Sequence, residues 1–193
     1  PRSSSAASDV YKRQVLGTYL LGRIHQIKGE YDDAAMKLEE TLEMEPAVVE
    51  ALEVLISVYV EMDDSERALV YLNNHLKEHP DHGHARALLG DLHLAAGNTA
   101  QAGVQYKHAT EVSPFSPVAY IRLGDLQYSK GDLEKALETY LGGLSVAPTN
   151  TTLATRAALM HEQLGAYDQA ISMYESAIAI GDDFVAKNNL AMI

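Results

Sequence analysis

Four histidines fall within ten residues, at His75, His79, His82 and His84. Two imidazoles four apart on a helix share a face and can share a metal ion. Only His75 and His79 have that spacing. His82 and His84 follow Pro80, past the end of any helix that carries the first pair. Neither Glu78 nor Asp81 completes a ligand set, and histidine near a helix C-terminus is already favoured by the dipole. No metal site is therefore assigned. His25, His93 and His161 recur at the spacing of a repeat and read as packed interface side chains. The carboxylate pairs Glu39-Glu40, Asp63-Asp64 and Asp182-Asp183 diverge on helices or cap them in turns, whereas acid–base work needs convergence across a pocket. Asn150-Thr151-Thr152 has the spacing of a glycosylation acceptor, but asparagine at a helix start is explained by capping. The absence of cysteine excludes disulfides, thiol nucleophiles and thiolate ligands. No glycine loop is arranged to cradle phosphate. Gly142-Gly143 lies inside a helix, where it permits close packing or a kink. No catalytic residue, metal ligand or cofactor is assigned, and the chain is not expected to be an enzyme.

The elements that carry these residues repeat. Ala34, Ala68, Ala102, Ala136 and Ala170 stand thirty-four residues apart, and Pro46, Pro80, Pro114 and Pro148 keep the same step. That is the period of a helix–turn–helix unit. Blocks at 15–48, 49–82, 83–116, 117–150 and 151–184 each divide into two helices, and a sixth begins at about 184–193. In the first helix, Leu21, Gly22 and His25 sit at amphipathic spacing, as do Leu89, Gly90 and His93, and Leu123, Gly124 and Gln127. The middle position is small in every block except the second, where Ile56 stands, and that hairpin is expected to pack more loosely or to be rotated. Turns such as Gly29-Glu30-Tyr31 and Gly131-Asp132-Leu133 supply the left-handed backbone that ends one helix and a start for the next. In the second helix the alanine marks the tightest crossing. Four residues later a large side chain fills the next layer: Leu38, Leu72, Tyr106, Tyr140 or Tyr174. The prolines then stop the helix.

This order of small, large and helix-breaking residues resembles the tetratricopeptide repeat, whose pattern is W-x2-L-G-x2-Y…A-x3-F…P. The resemblance covers Val15 to Phe184. The tryptophan position is held instead by Thr18, Leu52, Arg86, Tyr120 and Ala154. The family resemblance implies an all-α fold, an α-α superhelix of antiparallel hairpins, with first helices lining a concave groove that binds peptide segments or helices. Groove candidates on the first helices are Tyr19, Arg23, Glu53, Val60, Asp91, Leu94, Ile121, Asp125 and Tyr128. Their mixture of acids with apolar and aromatic anchors suits a protein or peptide segment with apolar anchors flanked by Lys or Arg. One subclass of the family grips a C-terminal carboxylate with Lys and Asn at set positions. Tyr19, Arg23, Glu53 and Ser57 occupy those places here, and Asp91 and Asp125 would repel a carboxylate, so that function is rejected.

Composition narrows the partners. Hydrophobic residues make up 47% of the chain, enough for a packed core. A net charge of −12 argues against nucleic acid, which needs clustered Lys and Arg. No apolar run approaches the roughly 20 residues of a membrane span. Residues 1–14 stand outside the repeat. Their Ser/Ala run and Asp9-Val10-Tyr11-Lys12-Arg13-Gln14 resemble a translated transposon-end adapter, so a non-native or disordered leader is expected there. At the other end, Ala186, Leu190 and Ile193 continue an apolar stripe, as in a piece of a longer array whose uncapped ends could self-associate. Asn188-Asn189-Leu190-Ala191 resembles an opening found in many bacterial repeat arrays of this family. It implies an alternative role as the regulatory or substrate-docking portion of a larger enzyme or of an envelope or exopolysaccharide assembly protein. The compartment would then be cytoplasmic or periplasmic.

Overall fold

The computed structural model describes residues 2–193, with side chains from residue 7 onward; Pro1 lies outside the described residues. Among them are eleven helices and no strand. They form two compact units, Pro1–Pro80 and Asp81–Ile193. The first holds α1 (Arg2–Lys28), α2 (Tyr31–Met44), α3 (Val49–Glu61) and α4 (Ser65–Glu78). The second holds α5 (Gly83–Ala95), α6 (Thr99–Val112), α7 (Pro117–Ser129), α8 (Leu133–Val146), α9 (Thr151–Gln163), α10 (Tyr167–Ile180) and α11 (Phe184–Leu190). Second helices start at 31, 65, 99, 133 and 167, which is the thirty-four-residue step read from the alanines. None of the helices is long and apolar enough to cross a membrane.

The turns show why each hairpin folds back. Gly29, Gly97, Gly131 and Gly165 have φ between 76° and 81°. The amide of the next residue reaches back to the carbonyl five before it, as in Asn98 N to His93 O at 2.8 Å and Asp132 N to Gln127 O at 3.0 Å. This satisfies carbonyls that the ending helix leaves open. Asp63 fills the same place in the second hairpin at φ 58°. An L-residue there carries strain that glycine avoids. Asp63→Gly is expected to raise the unfolding free energy by about 0.5–1 kcal/mol, read from urea denaturation. A loss of stability instead would show that the Asp63 side chain supports the turn. Several helix starts are capped: Asp64 accepts from Arg67 N at 3.0 Å, Asn150 from Leu153 N at 2.9 Å and Asp183 from Ala186 N at 2.9 Å.

Within each unit the repeat positions form the core. Ala34, Ala68, Ala102, Ala136 and Ala170 are fully buried, as are the large residues four positions on. A Cβ added to Gly90 would lie 2.4 Å from the Tyr106 ring, and one on Gly124 would lie 2.3 Å from the Tyr140 ring. The first helix is therefore small where the second helix inserts its ring. Ile56 breaks this rule in the second hairpin, and α3 and α4 touch far less than the paired helices of the other hairpins. Ile56 is bulkier than the glycine or alanine at this position in the other hairpins and is itself buried. Gly143 is a close-packing glycine: its Cβ would meet Leu153 and Tyr120 at 2.9 Å.

Residues 2–14, set apart from the array by their sequence, continue α1 without a break from Arg2 to Lys28. The Tyr11 hydroxyl donates to the Met44 carbonyl at the end of α2, which ties this stretch to the first hairpin.

Candidate functional site

First helices lie side by side within each unit: α1 touches α3 in the first, and α5 touches α7 and α7 touches α9 in the second. The groove candidates are distributed over these faces. In the first unit Tyr19 is half-buried and shares a small apolar cleft of about 240 Å3 with Tyr11, Val15, Leu16 and Val48. Arg23 and Glu53 are exposed, and Val60 keeps 49% of its surface in solvent. Gln26 Nε2 of α1 donates to Glu61 Oε1 of α3 at 2.8 Å, and Ser57 Oγ, on α3 itself, donates to the same oxygen at 2.9 Å, so the first bond links α1 to α3. In the second unit Leu94 and Tyr128 remain 42% and 41% exposed. Ile121 is half-buried and packs on the cluster formed by Ala136, Tyr140, Leu153 and Met160.

Asp91 and Asp125 are held differently from the rest. Tyr106 Oη donates to Asp91 at 2.6 Å, and Arg122 Nε lies 3.0 Å from the same carboxylate. One repeat later Tyr140 Oη donates to Asp125 at 2.7 Å, and Arg156 makes a two-pronged contact at 2.5 and 2.9 Å. In each case the acid sits on a first helix, the tyrosine on its second helix, and the arginine on the first helix of the next repeat. The result is a clasp between adjacent repeats. Burial raises the Asp91 pKa against the opposing pull of Tyr106 and Arg122. Burial, then the hydrogen bond to the carboxylate, pushes both phenols well above the ordinary tyrosine range. The hydrogen bond to Asp125 leads in raising the Arg156 pKa. These two acids are thus engaged within the unit, and the side chains left open to a ligand are chiefly Leu94 and Tyr128. Sequence reasoning missed Arg122 and Arg156. The signal was present, because aspartate, tyrosine and arginine all recur at the thirty-four-residue step. In the fifth repeat Tyr174 bonds elsewhere: it donates to Glu162 at 3.0 Å and accepts from Asn189 at 3.2 Å.

The histidines do not form the cluster that their crowding suggests. His75 near the end of α4 and His79 just past it have ring centroids 4.9 Å apart, tilted by 47°. Among the described residues the ligand-type atoms of His25, Glu30 and Asp33 fall within 4.8 Å of one another. There His25 Nδ1 and Glu30 Oε2 already share a hydrogen bond at 2.6 Å, and both carboxylates are exposed.

Two tetratricopeptide repeat models match the chain, at residues 27–92 and 121–183. No curated protein matches it. Among solved structures it is similar to MamA, at 22% identity over 88% of this chain and 92% of that one, with a TM-score of 0.62. TTC0263, a thermophilic protein of Thermus thermophilus, is 19% identical over 92% of this chain and 97% of its own, with a TM-score of 0.65. YrrB, described as having an unusual peptide-binding site, is 17% identical over 98% of this chain and 97% of its own, with a TM-score of 0.61. At these identities the likeness is one of fold.

Proposed function

Because the chain belongs to the tetratricopeptide repeat family, and so to a class of interaction scaffolds, we propose that its first-helix faces bind a polypeptide segment carrying apolar anchors flanked by Lys or Arg. The observation that carries this reading is the exposure of Val60, Leu94 and Tyr128 at groove positions. Large apolar side chains left open on first helices, as Leu94 and Tyr128 are on the adjoining α5 and α7, are what a partner's anchors would cover. Exposed Glu53 and the overall charge of −12 favour a basic flank and hasten encounter with it. A peptide as ligand also agrees with the peptide-binding site ascribed to YrrB. Arg23 and Tyr19 would add polar and aromatic contacts in the first unit, and Ile121 an apolar floor in the second. Asp91 and Asp125 would contribute mainly by holding the repeats that present this surface.

Peptides selected for binding from a random displayed library test the reading. Selected sequences are expected to place Lys or Arg beside apolar residues. The Leu94→Ser/Tyr128→Ser variant should bind peptides of the second unit at least about tenfold more weakly, a loss of about 1.4 kcal/mol. Peptides that bind this variant and the parent equally, and that lack basic residues, would contradict it.

A further inference from the structure

The first unit contains a feature that the repeat does not require. An open cleft of about 490 Å3 lies between α2 and α4, with Tyr59 of α3 at its base. It borders the second hairpin. α3 and α4 touch less than the paired helices of the other hairpins, and the cleft opens beside them.

The cleft wall is aromatic and its edge is acidic. Tyr59 and Tyr71 lie 6.3 Å apart between ring centroids, and Tyr71 stacks with His75 at an interplanar angle of 21°. Glu39, Glu43 and Glu78 contribute carboxylates. One end already contains a cation. The Arg67 guanidinium sits 4.7 Å from the centre of the Tyr59 ring, with Nη2 3.1 Å from Glu39 Oε1. The Tyr59 hydroxyl donates to the same carboxylate. Ring face and carboxylate together thus hold a flat cation at this end. The other end offers the same parts in Tyr71, Glu43 and Glu78, and no ion pair engages either of these two carboxylates among the described residues. Burial, followed by the fields of Glu39, Glu43 and Glu78, pushes the Tyr71 phenol up to about 12, so negative potential reaches that ring.

We propose that this second end binds the guanidinium of an arginine side chain presented by a partner polypeptide, stacked on Tyr71 and paired with Glu43 and Glu78. A planar, weakly hydrated head fits a ring face and two carboxylates better than a compact ammonium does. The site lies between second helices, so it stands or falls separately from the first-helix reading.

The probe is Nα-acetyl-arginine methylamide, titrated into the isotope-labelled full chain and followed by amide shifts. Saturable shifts are expected around Glu43, Tyr71 and Glu78 on α2 and α4. Nα-acetyl-citrulline methylamide, of the same shape without the charge, should bind at least about tenfold more weakly. Glu43→Gln/Glu78→Gln changes two exposed side chains, should keep the helical spectrum, and should weaken arginine binding by a similar factor. Tyr71→Leu should do the same. No saturable shift on α2 and α4, or equal binding of the citrulline compound, would overturn the site. Equal binding of the lysine analogue would overturn the guanidinium assignment. A peptide that moves only amides on first helices would leave the groove reading standing with this one refuted.

Discussion

Truncating Tyr140 to alanine is expected to lower the unfolding free energy by about 3–5 kcal/mol. The ring is 1% exposed and lies over Gly124, which has no Cβ to obstruct it. It also packs with Ala136, Leu153, Ala157 and Met160, so its removal opens a cavity bounded by three helices. A second loss is electrostatic. Without the hydroxyl, Asp125 keeps Arg156 and loses its neutral donor. Tyr140→Phe separates the two effects, because it keeps the ring and should cost only about 1–2 kcal/mol. Urea denaturation followed by helical circular dichroism reads both. A loss below about 1 kcal/mol for the alanine variant would mean that the neighbouring helices collapse onto the vacancy, and that the ring is not the wedge between them.

The fold was legible because each repeat position asks for one kind of side chain. Alanine at 102 or 136 and a ring four residues later define a crossing whatever surrounds it, and the helices start and stop on the same thirty-four-residue step as these residues. The exception was readable in part: Ile56 in a small-residue position pointed to looser packing or a rotation, and α3 and α4 touch less than the other pairs. The candidate site was less legible. Periodicity tells which face of a helix a residue occupies, but it does not tell what stands opposite. Asp91 and Asp125 are on the expected helices, yet their partners Arg122 and Arg156 come from the next repeat and claim their charge. The acidic cleft beside Tyr71 was hidden for a related reason. It is a space between helices, and no motif encodes a gap. The helical state of residues 2–14 was obscured by their unusual wording, although Tyr11 has a specific acceptor in the carbonyl of Met44.

Enlarging the repeat alanines should expose the tightness of the crossings most directly. Ala102 and Ala136 are both fully buried on second helices. A leucine at either place adds three methylene-sized groups to a site already filled by neighbours such as Leu126 near Ala102 and Leu153 near Ala136. The helices must separate or the side chains leave their preferred rotamers, at a cost of about 1–3 kcal/mol for each variant. Ala100 provides the control, because it lies on α6 only two residues from Ala102 and is exposed. Ala100→Leu should change stability by less than about 0.5 kcal/mol, since helix propensity barely differs between the two residues and nothing is overpacked. If Ala102→Leu and Ala136→Leu melt with the parent chain, the crossings have slack, and small size at these positions is not what sets the distance between paired helices. If they lose stability while Ala100→Leu does not, the repeat step reports steric necessity, imposed separately at each hairpin.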